Sequence, residues 1–109
     1  AVVNLADLAG IQAWGAYAAH GISKAGVVHL TRVAARSLAP EVRVNGIAPG
    51  TVLPPERMSD DEVRQLAERT PLKKNGSPDD VVRALRYLLA ADFVTGETLV
   101  VDGGRLLRE

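Results

Sequence analysis

The sequence predicts an α/β fold in which a parallel sheet carries helices on both of its faces. Short apolar runs rich in β-branched residues alternate along the chain with longer segments of helical period, which is the order of a parallel sheet with crossover helices. The first of these runs, residues 1–5, is continuously apolar and β-branched except for Asn4, and this indicates a strand buried on both faces. We therefore expect three strands that alternate with helices.

Three segments are predicted to be strands because they are short, apolar and β-branched. They are residues 1–5, 42–47 and 98–101. The first should end near Asp7, the second at the turn that contains Pro49 and Gly50, and the third at the turn 102–104. Because ligands bind beyond the carboxyl ends of parallel strands, Asp7 and the Pro49 turn are expected at a binding site.

The longest helix is predicted for residues 17–38. Apolar and small side chains recur there at intervals of three and four, as in a helix with one buried face. These residues are Val27, Leu30, Thr31, Ala34, Ala35 and Leu38. Pro40 cannot continue a helix and therefore marks its end.

Two shorter helices are predicted in the second half of the chain. Ser59 and Glu62 have the spacing of a capping box, which predicts a helix over residues 60–69. Another helix is expected to start at Pro78. The residues predicted to be buried on it are Val81, Val82, Leu85, Leu88 and Leu89. The proline-rich segment 51–56 is expected to form an irregular loop that lines or covers a site.

Composition and charge exclude several classes of function. The 109 residues suffice for one small domain, and 13 Lys plus Arg balance 13 Asp plus Glu without a basic cluster, so no nucleic-acid partner is expected. The chain has no cysteine, and His20 and His29 are nine residues apart, so no metal site is expected. No apolar run has the length of a membrane span. We expect a cytoplasmic protein with a small-molecule substrate.

Four segments resemble, in order, the second half of the short-chain dehydrogenase/reductase family. They are residues 3–7 (VNLAD), 17–26 (YAAHGISKAG), 43–50 (RVNGIAPG) and 95–104 (TGETLVVDGG). The resemblance covers nearly the whole chain. It implies the C-terminal part of a doubly wound, Rossmann-like domain, with residues 1–109 as its C-terminal half. The glycine-rich turn that binds pyrophosphate in such domains has no counterpart in the sequence, and we expect it in an N-terminal half.

The resemblance also assigns candidate site residues. Lys24 matches the lysine of the family's Tyr-x-x-x-Lys motif, and His20 stands at the position of the catalytic tyrosine. Asp7, thirteen residues before His20, stands where most members have serine. Asp7, His20 and Lys24 are therefore the candidate catalytic residues. The residues expected to bind the cofactor, NADP or NAD with NADP favoured, are Lys24, Pro49, Gly50, Thr51 and Val52, and those expected to contact substrate are Asp7, Tyr17 and Leu53.

Hydride delivered to a C=N bond leaves charge on the nitrogen, so the reaction needs a positioned proton donor. Residues four apart on a helix share a face, so His20 and Lys24 should point the same way, and a strand end could bring Asp7 to them. A positive Lys24 disfavours a charged imidazole, whereas the Asp7 carboxylate favours it. The ability of His20 to act as an acid therefore depends on how close Asp7 lies.

The aspartate at position 7 and the loop 48–56 resemble those of pteridine reductases. This resemblance implies the reduction of a dihydropterin- or dihydrofolate-like C=N bond by NAD(P)H. A carbonyl or 3-oxoacyl-carrier-protein reductase is one alternative, although the family's usual serine would fit it better. The other alternative, which His20 favours, is a catalytically degenerate homologue that serves as a binding or dimerisation module. The family also implies a homo-oligomer, either a dimer or a tetramer.

Overall fold

The computed structural model describes residues 1–107, which form a three-stranded parallel sheet with helices on both faces. The strands are β1 (Val2–Leu5), β2 (Val44–Pro49) and β3 (Thr98–Val101), in the spatial order β1-β2-β3. The helices are α1 (Ala18–Leu38), α2 (Asp60–Glu68) and α3 (Pro78–Ala90). The predicted fold class, three parallel strands alternating with helices, is confirmed.

The central strand β2 separates two small apolar cores. On one face, Ala48 packs with Ala6 and Leu8 in a cluster that the α1 residues Val27 and Val28 cover. On the other face, Ile47 packs with Ala84 and Leu88 of α3. Successive β2 side chains thus point to opposite faces of the sheet and meet different helices. This is the three-layer arrangement of an α/β domain.

The strand β1 is less buried than the sequence pattern predicts. Its end residues Val2 and Leu5 are 42% and 59% exposed. The reason is its position in the sheet, since among residues 1–107 β1 pairs with β2 on one edge and with no strand on the other. An apolar strand with an open edge is able to pair with a further segment of chain.

The strand β2 begins and ends two residues later than predicted. At its start, the N–H of Val42 donates to the carbonyl of Leu38 and thereby completes the turn after α1. At its end, Pro49 still lies opposite Val101 of β3. A proline lacks the N–H of a regular ladder, but its carbonyl and extended backbone let it close the strand.

Both long helices bury a narrower stripe than predicted. On α1, Thr31 and Ala35 are buried because they face the sheet directly. The residues that were predicted to be buried but are exposed are Leu30, Leu38, Val82 and Leu89. Leu30 and Leu89 each adjoin a buried residue, and one residue turns the side chain by about 100° around the helix axis. No helix in the described part of the chain is both long and apolar enough to cross a membrane.

The start positions of α2 and α3 agree with the sequence signals. At α2, the hydroxyl of Ser59 accepts the N–H of Glu62 at 3.2 Å, and the Glu62 carboxylate accepts the N–H of Ser59 at 3.3 Å. At α3, the carboxylate of Asp80 accepts the N–H of Ser77 at 2.7 Å. These short-range bonds fix the helix starts because both partners lie within one turn.

Candidate active site

A cleft of about 480 Å³ lies at the carboxyl ends of the strands. Its wall includes Asp7 after β1, residues 49–53 at and after the end of β2, and Arg105 after β3, while Leu66 of α2 lies on one side. Open α/β sheets bind ligands at this end, and pockets of about 300–1,000 Å³ suit small organic molecules. The cleft is therefore the candidate active site.

Asp7 and His20 form a pair on the wall of this cleft. Oδ2 of Asp7 lies 3.6 Å from Nε2 of His20, and the two side chains are about 36% and 51% exposed. Oδ1 of Asp7 accepts the N–H of Ala9 at 2.9 Å and caps the short 3₁₀ helix Leu8–Gly10. This bond holds the carboxylate in one orientation, with its second oxygen directed to the imidazole. Asp7 is thus both a structural cap and the charged neighbour of His20.

Two glycines allow the Asp7 segment to pack against α1. A Cβ atom at Gly10 would lie 2.6 Å from the backbone carbon of Lys24, and one at Gly21 would lie 2.9 Å from the carbonyl oxygen of Ala9. The backbone on either side has no room for a side chain, so the distance between Asp7 and His20 depends on both glycines. Neither glycine was predicted to belong to the site. A glycine inside a predicted helix, such as Gly21, is the signal that could have drawn attention to this contact.

Lys24 lies one helical turn after His20, but its side chain is not part of the cleft wall. Its Nζ lies 3.5 Å from the carbonyl oxygen of Leu5, which is the last residue of β1. Among residues 1–107, β1 pairs with β2 along one edge, and its other edge is open. The structure therefore brings Asp7 and His20 together in the cleft and places the Lys24 ammonium beside β1.

The loop after β2 forms backbone hydrogen bonds to two other segments. The N–H of Gly50 donates to the carbonyl of Val101 at 2.8 Å, and the carbonyl of Thr51 accepts the N–H of Gly76 at 2.9 Å. A Cβ at Gly50 would lie 3.0 Å from the Cα of Asp102, so only glycine permits this close approach without a shift. The backbone of the predicted cofactor loop is therefore fixed at the wall of the cleft.

The remaining predicted substrate contacts also line the cleft. Tyr17 and Leu53 contribute to its wall, and their residues are 62% and 76% exposed. Trp14 and Arg105 line the same space, with the guanidinium carbon of Arg105 5.0 Å from the centroid of the Trp14 ring. Arg105 was not predicted to belong to the site, because no motif or spacing in the sequence links it to Asp7.

The sequence is similar to those of known oxidoreductases. Residues 1–105 match the family model described as enoyl-(acyl carrier protein) reductase. An uncharacterised oxidoreductase of Mycobacterium tuberculosis is 44% identical over 109 residues, covering 94% of this chain and 41% of the relative. Dihydromonapterin reductase of Citrobacter koseri is 46% identical over 91 residues (83% and 38%). The Streptomyces violaceoruber protein named "Granaticin polyketide synthase putative ketoacyl reductase 2" is 37% identical over 107 residues (94% and 43%).

Solved structures share the fold. A Brucella melitensis protein described as a short-chain dehydrogenase/reductase has a TM-score of 0.81 and 37% identity, covering 94% of this chain and 42% of that one. A 4-hydroxyisoleucine dehydrogenase complexed with NADH has a TM-score of 0.89 and 30% identity (98% and 47%). A small-chain dehydrogenase in complex with NADPH has a TM-score of 0.87 and 25% identity (96% and 50%).

These matches agree in both sequence and fold. The chain spans less than half the length of the curated relatives it matches. Within that span, the matching family model covers almost every residue, and the similar structures have the same arrangement of strands and helices. The chain belongs to the short-chain dehydrogenase/reductase family of oxidoreductases.

Proposed function

We propose that the protein containing this chain uses NAD(P)H to reduce a C=N bond of a dihydropterin- or dihydrofolate-like substrate. The observation that carries this proposal is the pairing of Asp7 with His20, 3.6 Å apart, in the cleft at the strand ends. The similarity to a dihydromonapterin reductase supports the same pteridine-reductase-like subgroup.

The proposed roles follow from the chemistry of the reduction. A reduced nicotinamide, when bound, supplies the hydride. The substrate nitrogen then needs a proton, and His20 would donate it because its imidazole faces the cleft. Asp7 would hold the imidazole and balance its charge, and it could hydrogen-bond the substrate ring. Tyr17 and Leu53 would contact the substrate from the same wall.

The residues at the end of β2 fit the nicotinamide end of a cofactor. The loop Pro49–Val52 has a fixed backbone and a glycine that leaves no side-chain bulk, so its backbone groups would be available to a carboxamide. Lys24 would hold the ribose hydroxyls from its position beside the end of β1. Two of the similar structures contain NADH or NADPH, and the resemblance favours NADP for this protein.

We also propose that this chain is the C-terminal half of a single domain. Among residues 1–107, the outer edge of β1 has no partner strand, and its residues Val2 and Leu5 are exposed. The other half would supply the neighbouring strand and the glycine-rich turn for the pyrophosphate. A homo-oligomeric assembly is proposed from the family resemblance.

A second candidate function is the reduction of a 3-oxoacyl or other carbonyl group. The relative from Streptomyces violaceoruber that is named as a ketoacyl reductase favours it. A carbonyl oxygen also needs a proton after hydride transfer, so His20 could serve either reaction. A third candidate is a catalytically degenerate homologue, which the histidine at the tyrosine position favours.

Steady-state rates of the complete protein with a dihydropterin and NADPH test the first proposal. We compare the wild type with His20→Phe, His20→Tyr and Asp7→Asn. Loss of the proton donor in His20→Phe should lower kcat by about 100-fold or more, and His20→Tyr should retain activity. Asp7→Asn keeps an oxygen for the cap at Ala9 but removes the charge, so kcat should fall while the protein stays folded. His29→Phe, at an exposed position of the same helix, is the matched control.

Three outcomes would overturn this assignment in different ways. An unchanged rate in His20→Phe would remove His20 from the chemistry. A silent wild type with an active His20→Tyr variant would support the degenerate homologue. Turnover of a 3-oxoacyl thioester without turnover of the dihydropterin would support the carbonyl reductase.

A further inference from the structure

We infer that Arg105 binds a carboxylate of the substrate in the cleft. The inference rests on the proposed function to the extent that this cleft is the substrate site. Arg105 follows β3 and lines the same cleft as Asp7 and His20. The residue is half-buried.

The structure holds Arg105 in place from two sides. On one side, its guanidinium carbon stacks over the Trp14 ring at 5.0 Å, and Trp14 packs against the core cluster of Ala6, Leu8 and Ala48. On the other side, the Asp102 carboxylate accepts the N–H groups of Gly104 and Leu106, each at 2.8 Å, and so fixes the backbone before and after Arg105. A cation held over an aromatic face loses less entropy when it binds a ligand.

The donors of Arg105 are not used by the fold within the described residues. No side-chain hydrogen bond or ion pair joins Arg105 to any other residue among residues 1–107. By contrast, the guanidinium of Arg43 donates to four backbone carbonyls. A planar guanidinium with open donors can bind a carboxylate through two parallel hydrogen bonds.

The other side chains on the cleft wall indicate which chemical groups the rest of the ligand should have. The apolar side chains on its wall are Leu8, Trp14, Val52, Leu53, Met58 and Leu66. Asp7 is the acidic residue of the wall, and its second oxygen faces His20. A ligand that fits has an apolar part that can meet these side chains and a carboxylate that can meet Arg105. Within the proposed substrate class, this favours a folate with its glutamyl carboxylates over an unsubstituted pterin.

Equilibrium binding to the complete protein tests this inference without turnover. Dissociation constants for folate and for pterin are measured by calorimetry in the absence of reduced cofactor, for the wild type, Arg105→Gln and Arg105→Lys. Arg86→Gln, at an exposed position of α3, is the control for removal of one positive charge. Circular dichroism shows whether each variant is folded.

We expect the wild type to bind folate more tightly than pterin. Arg105→Gln should weaken folate binding by roughly tenfold, the effect of one charge-assisted hydrogen bond, with little change for pterin. Arg105→Lys should recover part of the affinity because it keeps the charge but loses the planar pair of donors. Arg86→Gln should leave both constants unchanged.

The outcomes separate this inference from the proposed reaction. Equal binding of folate and pterin, unaffected in both Arg105 variants, would overturn the role of Arg105 and leave the pterin reductase proposal standing. If neither ligand binds, the pterin proposal fails, and the same variants are then tested by saturation-transfer NMR with glutarate, a simple dicarboxylate. Glutarate binding that Arg105→Gln abolishes supports the inference, and its absence in the wild type overturns it.

Discussion

Two arginines at opposite ends of the sheet show how differently this chain uses its polar groups. Arg43 precedes β2, and its guanidinium donates to the carbonyls at the end of α3 and in the segment after it. The acceptors are Leu88, Leu89, Ala91 and Val94, at distances of 2.8 to 3.3 Å. Arg105 follows β3 at the other end, where it stacks on Trp14 and lines the cleft.

The comparison separates the end of the sheet where polar groups stabilise the fold from the end where they can bind a ligand. At the amino end of β2, polar groups form hydrogen bonds within the fold. The side-chain amide of buried Asn45, for example, donates to the carbonyl of Val94 and accepts the N–H of Glu97. At the carboxyl ends, Asp7 and His20 keep partly exposed atoms that can meet a ligand. Substitutions at the first end should therefore change stability, and those at the second should change binding or turnover.

The largest effect on stability is expected from Arg43→Met. This change removes the donor from four carbonyls at the end of α3 and in the segment after it. Three of these hydrogen bonds are part-buried and each is worth about 1 kcal/mol, so a loss of about 3 kcal/mol in the free energy of unfolding is expected. Urea denaturation of the complete protein measures it. The activity of the molecules that remain folded should be unchanged.

Two controls belong to this experiment. Arg86→Met, on the exposed side of α3, should leave the urea midpoint unchanged. His20→Gln should change the unfolding free energy by less than about 1 kcal/mol, because the contact of His20 with the Asp7 carboxylate is partly exposed. A large loss of stability in His20→Gln would contradict the assignment of stability to the amino end of β2 and of ligand binding to the carboxyl ends of the strands.

A smaller loss of stability is expected from Gly21→Ala. This variant tests whether the packing of α1 against the Asp7 segment controls the candidate site. The new Cβ would meet the Ala9 carbonyl at 2.9 Å, so α1 must move away from the Asp7 segment. Such overpacking costs about 1–3 kcal/mol, and activity should fall as the Asp7–His20 distance increases. Both are read from thermal unfolding and steady-state rates.

Gly26→Ala is the matched variant in the same helix. A Cβ there would meet nothing within 4 Å, so the gain in helix propensity should stabilise the protein by about 0.5–1 kcal/mol. Equal effects of the two alanines would contradict the role of Gly21 as a contact residue.

The smallest effect is expected at the start of α3 and depends on pH. The pKa of Asp80 is lowered, first because its carboxylate accepts the backbone N–H of Ser77, and further by the Ser77 hydroxyl and the charges of Arg83 and Lys74. A carboxylate whose pKa is lowered by folding stabilises the native state above its unfolded pKa, and this contribution is lost as pH falls through its folded pKa. Asp80→Asn should therefore reduce stability at pH 7 and have less effect near pH 3. Urea midpoints at both pH values measure this, and an equal effect at both would contradict it.

Much of the fold could be predicted because its signals are local. The helix starts at Ser59 and Pro78 agree with the sequence signals, since each depends on partners within one turn. Gly103 and Gly104 have positive φ angles of 64° and 88°, as their position after a strand suggests. The site was only partly predictable. The motif named Asp7, His20 and Lys24 as candidates but left open how close Asp7 lies to His20; the structure puts them 3.6 Å apart, with Lys24 outside the cleft wall.

The sequence by itself determined the order of strands and helices and indicated the family, and it predicts His20 as the candidate acid with Asp7 as its neighbour. The reason is that periodicity, caps and motif spacing are properties of short segments. Only the tertiary structure decided that Gly10 and Gly21 set the distance from Asp7 to α1, and that Arg105 stacks on Trp14 in the same cleft. Those contacts join residues far apart in the chain, and their geometry arises only when the helices pack on the sheet.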